Sequence, residues 1–216
     1  MKIRSLAAPV LVVCALAGCA SDMNAMLETV QNATKVQRGA ANPRLNPNYR
    51  FLRVTVDGRV AFLALGNEDS DPRGPVEVWY SRQREVLRFQ NGRLVGAVGM
   101  TTEWRNVVLP ELPSWSALAG AQQPFKWTRV RDVMPGYRYG VRDELALRAT
   151  SPPQKSALQN LDPQSLHWFE EQTRPGPGQT LPPARYAVEL RDGKETAVYG
   201  EQCLAVGFCF TWQRWN

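Results

Sequence analysis

The sequence predicts a mainly β domain, an antiparallel hairpin-built β-sandwich or barrel-like body, behind a short N-terminal helix or tether. Three observations carry that reading. Apolar and polar residues alternate with period two over many short runs. Pairs of runs are joined by Asp57-Gly58, Asn91-Gly92 and Asp192-Gly193, whose tolerance of positive φ suits a two-residue hairpin turn. The glycines stand singly at turns, so no loop of the kind that cradles phosphate is present.

The first 18 residues have the zones of a secretory signal: Lys2 and Arg4, an apolar run over 6–16, then small residues. That run is shorter than the roughly 18 to 20 residues a membrane span needs. Leu16-Ala17-Gly18-Cys19 resembles the bacterial lipoprotein box, which implies a diacylglycerol on the Cys19 thiol, cleavage before Cys19 and acylation of the new amine. The alternatives are an ordinary signal peptide that ends near a cysteine and a short membrane anchor. Ala20 in place of Asp after the cysteine implies, by resemblance to Gram-negative lipoprotein sorting, the periplasm-facing side of the outer membrane. Cleavage leaves 198 residues and removes two positive charges, so the formal charge falls from +6 to about +4. A charge that mild, on an exported chain, argues against a nucleic-acid partner and fits anionic headgroups or acidic polymer better. The expected organisation is a signal peptide over 1–18, a lipidated N-terminus and tether over 19–46 and a periplasmic β domain over 47–216.

Cysteine use agrees with export. Cys14 leaves with the signal and Cys19 takes the lipid, so Cys203 and Cys209 remain in the folded part. Two thiols with five residues between them, in an oxidising compartment, predict a disulfide closing a C-terminal loop. The rival is a metal site. His167 is the single histidine and no second cysteine pair completes four ligands, so no metal or other cofactor is expected.

Along the chain, Met23, Met26, Leu27, Val30 and Ala33 fall at helical spacing behind Ser21 or Asp22 as N-cap, and 39–48 reads as linker. This predicts a weak helix on a flexible leash. Strands follow over 51–56 and 60–65, then a polar loop over 66–75. Glu68, Asp69 and Asp71 in that loop lack the ordered oxygen ladder of a calcium site and read as a solvated turn. Further strands are predicted over 76–81, 85–90 and 93–98, the last two joined by Asn91-Gly92.

Here a family comes into view. Pro47-x-Tyr49, Leu52-x-Val54-x-Val56-x-Gly58, Leu63-x-Leu65-Gly66, Trp79-x-Ser81, Leu87, Gly92-Arg93-Leu94 and Gly99-Met100 resemble the exported YjbF/GfcB lipoproteins of group 4 capsule and exopolysaccharide operons. The most specific piece is the Trp79-x-Ser81 strand followed by Asn91-Gly92-Arg93-Leu94 and then Gly99-Met100. Trp127-x-Arg129-x-x-Asp132 and Tyr137-x-Tyr139-Gly140 look like the family's middle segment. Ala187-Val188-Glu189 stands where the family tends to carry a Trp-Val-Asp type strand, so the resemblance weakens in the C-terminal third.

Between 103 and 123 the apolar residues thin out, and Pro110, Pro113 and Gly120 break any long element. A hairpin is predicted over 125–133 and 137–149, and another over 185–190 and 196–201. Residues 161–173 remain helix or strand: Asp162-Pro163 is a good helix start, yet Leu166 and Trp168 alternate as a strand would. Residues 174–183 read as linker.

No catalytic constellation emerges. His167, beside Trp168 and Phe169, reads as an interfacial or packed ring rather than an activated base. Asp143-Glu144 and Glu170-Glu171 are adjacent pairs, which a strand sends to opposite faces, while a pair assembled from distant residues stays open. Seven tryptophans and many arginines remain; most Trp belong to a core, and an exposed subset would stack on sugar or a partner. The resemblance implies a non-enzymatic accessory of capsule or exopolysaccharide export, partnered by its membrane anchor, by an outer-membrane or periplasmic export protein, or by polysaccharide. The competing functions are a polysaccharide-modifying enzyme, which needs acids converging in a cleft, and a lipid or lipoprotein carrier, which needs an apolar cavity of several hundred Å³.

Overall fold

The computed structural model describes residues 45–174 and 180–215. The expected signal peptide, Cys19 and the expected N-terminal helix lie outside them. Twelve antiparallel strands form one closed barrel: β1 (Phe51–Val56), β2 (Arg59–Asp69), β3 (Val76–Tyr80), β4 (Val86–Gln90), β5 (Arg93–Val98), β6 (Glu103–Val108), β7 (Phe125–Met134), β8 (Arg138–Thr150), β9 (His167–Thr173), β10 (Ala184–Arg191), β11 (Lys194–Ala205) and β12 (Phe208–Trp215). Each strand pairs with its neighbour in sequence, and β1 pairs with β12 from Phe51↔Trp215 to Val56↔Phe210. That last pairing removes both sheet edges. The barrel has an entry end, where the described chain begins and β12 finishes, and a far end, which carries the 57–58, 81–85, 135–137 and 206–207 turns.

The turn residues form the hairpins expected of them, with positive φ at Asp57-Gly58, Asn91-Gly92 and Asp192-Gly193. Gly92 meets a second constraint. A Cβ there would lie 2.2 Å from that of Ala197, because the 91–92 turn bends in against β11. Cys203 and Cys209 are direct cross-strand partners and form a disulfide beside the 206–207 turn, with Cα atoms 3.8 Å apart.

Three expectations are corrected. The polar loop over 66–75 is shorter, because β2 continues to Asp69 past a register shift between Leu65 and Asn67. Residues 103–123 hold the strand β6 and a one-turn helix α1 (Trp115–Ala119), started by Ser114, whose hydroxyl accepts from the Ala117 N–H at 3.2 Å. In 161–173 both signals are realised in turn: Asp162 caps a 3₁₀ turn (Pro163–Ser165), and β9 follows.

Twelve strands enclose more space than the eight whose side chains just meet across a barrel. Large rings fill it. Leu52, Trp79, Leu87, Phe89, Trp104, Phe169, Tyr186, Phe210 and Trp212 are buried in one continuous core, sealed by Trp115 and Leu118 of α1 toward the entry end and joined by Leu181 from the 174–183 connection. Trp115 sits 4.8 Å from the Phe169 ring and 5.3 Å from Tyr186, and its indole N–H donates to the Asn91 carbonyl at 3.0 Å. The Glu195 carboxylate accepts from the Trp115 and Ser116 backbone N–H groups at 2.7 and 3.1 Å, holding α1 in place.

The outer wall is polar. Arg148, Glu170, Arg185 and Glu201 stand opposite one another across β8 to β11, with ion-pair distances of 3.1, 3.5 and 3.6 Å. A lipid-facing barrel presents an apolar band where these four strands carry an ion-pair ladder. Two outer patches are covered by the chain itself. Trp168, Ala187, Val198 and Tyr199 lie under Ala157, Leu158 and Leu166, while Phe51, Phe62 and Ala64 lie under Leu45 and Tyr49.

Gly92→Val should lower stability by more than about 1 kcal/mol, since it meets both the positive φ and the Ala197 contact. Trp115→Ala should cost about 3 to 5 kcal/mol by opening a cavity under the plug. Urea midpoints of the purified variants check both values.

Candidate functional site

Strand alternation places Trp127, Arg129, Arg131 and Val133 of β7 on the inner face, opposite Asp143 and Leu145 of β8. Charge therefore enters the barrel. Arg129 Nε donates to Asp143 Oδ2 at 2.9 Å, and Arg131 reaches both oxygens of that carboxylate, Nε to Oδ2 at 2.6 Å and Nη2 to Oδ1 at 3.0 Å. Arg129 Nη1 also lies 3.5 Å from Glu171 Oε1. Both guanidiniums stand 4.4 Å from the centre of the Trp104 ring, whose N–H donates to the Leu204 carbonyl at 2.9 Å. A third buried arginine, Arg93, stacks 3.9 Å over Trp115. Aromatic faces thus share the positive charge that two carboxylates alone leave uncompensated.

The two acids titrate in opposite directions. Burial opposes ionisation of Asp143, but the hydrogen bond from Arg131 and the charges of Arg129 and Arg131 outweigh it and hold the carboxyl below its ordinary value. Burial pushes the Glu171 carboxyl up; Arg129 and Arg93 offset part of this, and Asp143 adds to it. Glu171 Oε2 and Gln202 Nε2 have no hydrogen-bond partner among the described residues.

Among the described residues these are the two buried acids, brought together from the neighbouring strands β8 and β9, and the space beside them is small. The cavity lined by Trp104, Arg129, Glu171, Leu181 and Gln202 measures about 10 Å³, room for a single water. A glycosidic bond and its two rings do not fit. Glu170 points to the outer wall, as adjacent strand residues must, and pairs with Arg148 and Arg185. His167 is exposed at the start of β9 rather than packed. Glu68, Asp69 and Asp71 each pair with a separate arginine, Arg50, Arg88 and Arg73. No group of three or more potential metal ligands occurs among the described residues.

The expected exposed tryptophans are not there. Trp79, Trp104, Trp115, Trp127, Trp168 and Trp212 are all buried, and Trp215 is half-buried against Phe62. The rings that do reach solvent are Tyr137 and Tyr139, 74 % and 66 % exposed at the tip of the β7–β8 hairpin. Beside α1, an open apolar groove of about 820 Å³ runs between Leu112, Pro113, Leu118 and Phe125.

The motif residues turn out to be scaffold. Trp79 and Leu94 are core, and Arg93 supports the plug. Ser81 closes its own turn, its hydroxyl donating to Glu85 and accepting from the Gln83 and Glu85 N–H groups at 3.1 and 3.0 Å. Gly99, at φ +84°, leaves a would-be Cβ 2.7 Å from the Arg84 carbonyl oxygen, locking two far-end turns together.

A family pattern described as group 4 capsule polysaccharide lipoprotein gfcB, YjbF, matches residues 31–177, about two thirds of the chain. The chain belongs to the YjbF family. A solved structure, the hypothetical lipoprotein YmcC from Escherichia coli, is similar in fold: TM-score 0.54 at 16% identity, over 79% of this chain and 85% of that one. No functionally curated protein matches this chain. The family match ends before β10, so the last three strands complete the barrel outside the recognised pattern.

The buried acids give a pH signature. Because the folded-state pKa of Glu171 is raised, its contribution to stability is present in acid and lost as pH rises above about 4.5. Asp143, held low, acts oppositely and is lost only as pH falls below its ordinary 3.8. As pH rises above about 4.5 the wild type should therefore lose stability relative to Glu171→Gln, by at most about 1.4 kcal/mol per pH unit for one proton. Urea titrations at several pH values check this, and parallel curves would show that Glu171 does not titrate in that window.

Proposed function

We propose that this chain is a non-enzymatic accessory lipoprotein of capsule or exopolysaccharide export or assembly. In this reading Cys19 carries the lipid, holds the protein on the periplasmic face of the outer membrane, and leaves the barrel to act by binding protein or polysaccharide. Membership of the YjbF family supports the process, and the family's description as a lipoprotein supports the anchor. The observation that carries the binding mode is the interior itself. Its converging acids, Asp143 and Glu171, face arginines beside a space the size of one water, so a sugar ring has no room to reach the Glu171 oxygen that lacks a partner.

The tether favours the same mode. About 25 residues separate Cys19 from the barrel, and random-coil scaling gives such a segment a reach of some 25 to 30 Å. That reach lets the domain search for a partner while staying attached. The lipid-carrier reading draws on one observation, the open apolar groove beside α1. It requires the purified protein to retain a lipid beyond its own anchor, which native mass spectrometry would reveal.

Cys19→Ser should leave the precursor uncleaved at that site and without lipid, as read by mass spectrometry of the membrane fraction. His167→Ala, and Glu170→Gln with Glu171→Gln, should leave polymer export near the wild-type level when measured in cells. A single carboxylate-to-amide change that abolished export in a folded, lipidated protein would favour the enzyme over the accessory.

A further inference from the structure

The two ends of the barrel differ in charge. Near the entry end, arginines are matched: Arg50 with Glu68, Arg73 with Asp71 and Arg88 with Asp69. At and around the far end, Arg59, Arg82, Arg84, Arg138, Arg142 and Arg174 are exposed, and none takes part in an ion pair among the described residues. Against these six, the exposed carboxylates of this region without an ion pair among the described residues are Asp57 and Glu144, and the other acids nearby are engaged. Glu85 bonds Ser81, Glu103 pairs with Arg105, and Asp132 accepts from Asn106 and the Gly140 N–H.

The two exposed tyrosines stand in this basic surround. Tyr137 is also strained: its φ is +50°, a conformation costing a bulky residue roughly 1 to 2 kcal/mol. Gly136 and Gly140 on either side have nothing within 4 Å of a would-be Cβ, so the hairpin tip stands clear of the rest of the barrel. An exposed, strained aromatic that gains little from the fold is the kind of outlier that marks a binding surface.

We propose that this far-end rim binds an acidic polysaccharide, with Tyr137 and Tyr139 stacking on sugar faces and the unmatched arginines taking the carboxylates. This rests on the accessory reading above and specifies its ligand class. The chemistry selects this occupant. Tyrosine offers a flat apolar face with a polar edge, and guanidinium holds carboxylate by paired hydrogen bonds. A neutral glycan leaves the arginine charge without counterpart. A protein partner of ordinary affinity needs a contiguous apolar centre, whereas Tyr137 and Tyr139 form a small patch on a two-stranded tip among charges. A long polymer spans several turns of the rim at once, so weak contacts add through effective concentration.

The test uses the full-length lipidated chain in detergent, with polygalacturonate as the probe and dextran of equal length as the neutral control. Polygalacturonate should bind and dextran should not, with affinity falling about tenfold or more between 50 and 300 mM salt. Tyr137→Ala with Tyr139→Ala, and Arg138→Ala with Arg142→Ala, should each weaken binding about tenfold at an unchanged urea midpoint. Tyr137→Gly separates binding from folding: with the strain relieved, the midpoint should stay level or rise while polymer affinity drops. Equal binding of dextran, wild-type affinity in the variants, stronger binding to vesicles containing phosphatidylglycerol than to the polymer, or loss of a cross-linked protein partner with polymer binding intact would each overturn the proposal. If polymer binding fails while deletion of the chain still impairs export, the rim is wrong and the accessory reading stands. Rim binding with export unaffected by deletion would instead remove the accessory reading and leave the site.

Discussion

The structure depends on how a wide barrel fills its interior without leaving charge unopposed. Aliphatic side chains alone would leave gaps across twelve strands, and this chain uses indole rings and guanidiniums instead. Trp104 receives Arg129 and Arg131, Trp115 receives Arg93, and Asp143 binds the first two arginines through both of its oxygens. Each group is costly to bury alone; three guanidiniums face two carboxylates, and the indole faces take up part of the excess positive charge. The position of α1 follows from the same need, since Trp115 must reach Phe169, Tyr186 and Arg93 at once. The plug is therefore part of the core rather than a lid laid over it.

Local chemistry was legible in the sequence, and global closure was not. Asp57-Gly58, Asn91-Gly92 and Asp192-Gly193 name their turns because positive φ is a property of the residues themselves. Strand β6 was hidden because its residues lack clean alternation: Trp104 is buried while Arg105 and Asn106 are both exposed, and its register with β7 shifts between Arg105 and Val108. The helix α1 was hidden because its stability comes from Glu195, far along the chain, and from packing rather than from helix propensity. A signal for the charged interior did exist. Trp127, Arg129, Arg131 and Val133 share one parity, so placing the tryptophan inside places both arginines inside. The assumption that arginine lies on the surface concealed it.

The aromatic inventory teaches a similar lesson. Counting tryptophans drew attention to rings that the fold needs for filling, whereas the exposed rings are tyrosines flanked by Gly136 and Gly140. Their position at a glycine-flanked hairpin tip was the available clue. The motif residues that reveal the family, from Trp79 to Gly99, hold turns and core together. They identify a scaffold, and scaffold identity leaves the surfaces at the two ends free to vary.

The pairing of β1 with β12 also shapes how such a chain can form. A protein made N-terminus first presents β1 long before its partner exists, with backbone groups on that edge open to any other strand. Every other pairing joins neighbours in sequence and forms locally, so the open sheet assembles early and the ring closes last, across nearly the whole folded length. Any open form that precedes closure is a curved sheet with two unpaired edges. Its exposure to misassembly is set by the delay before the final strand arrives, whatever the stability of the finished barrel.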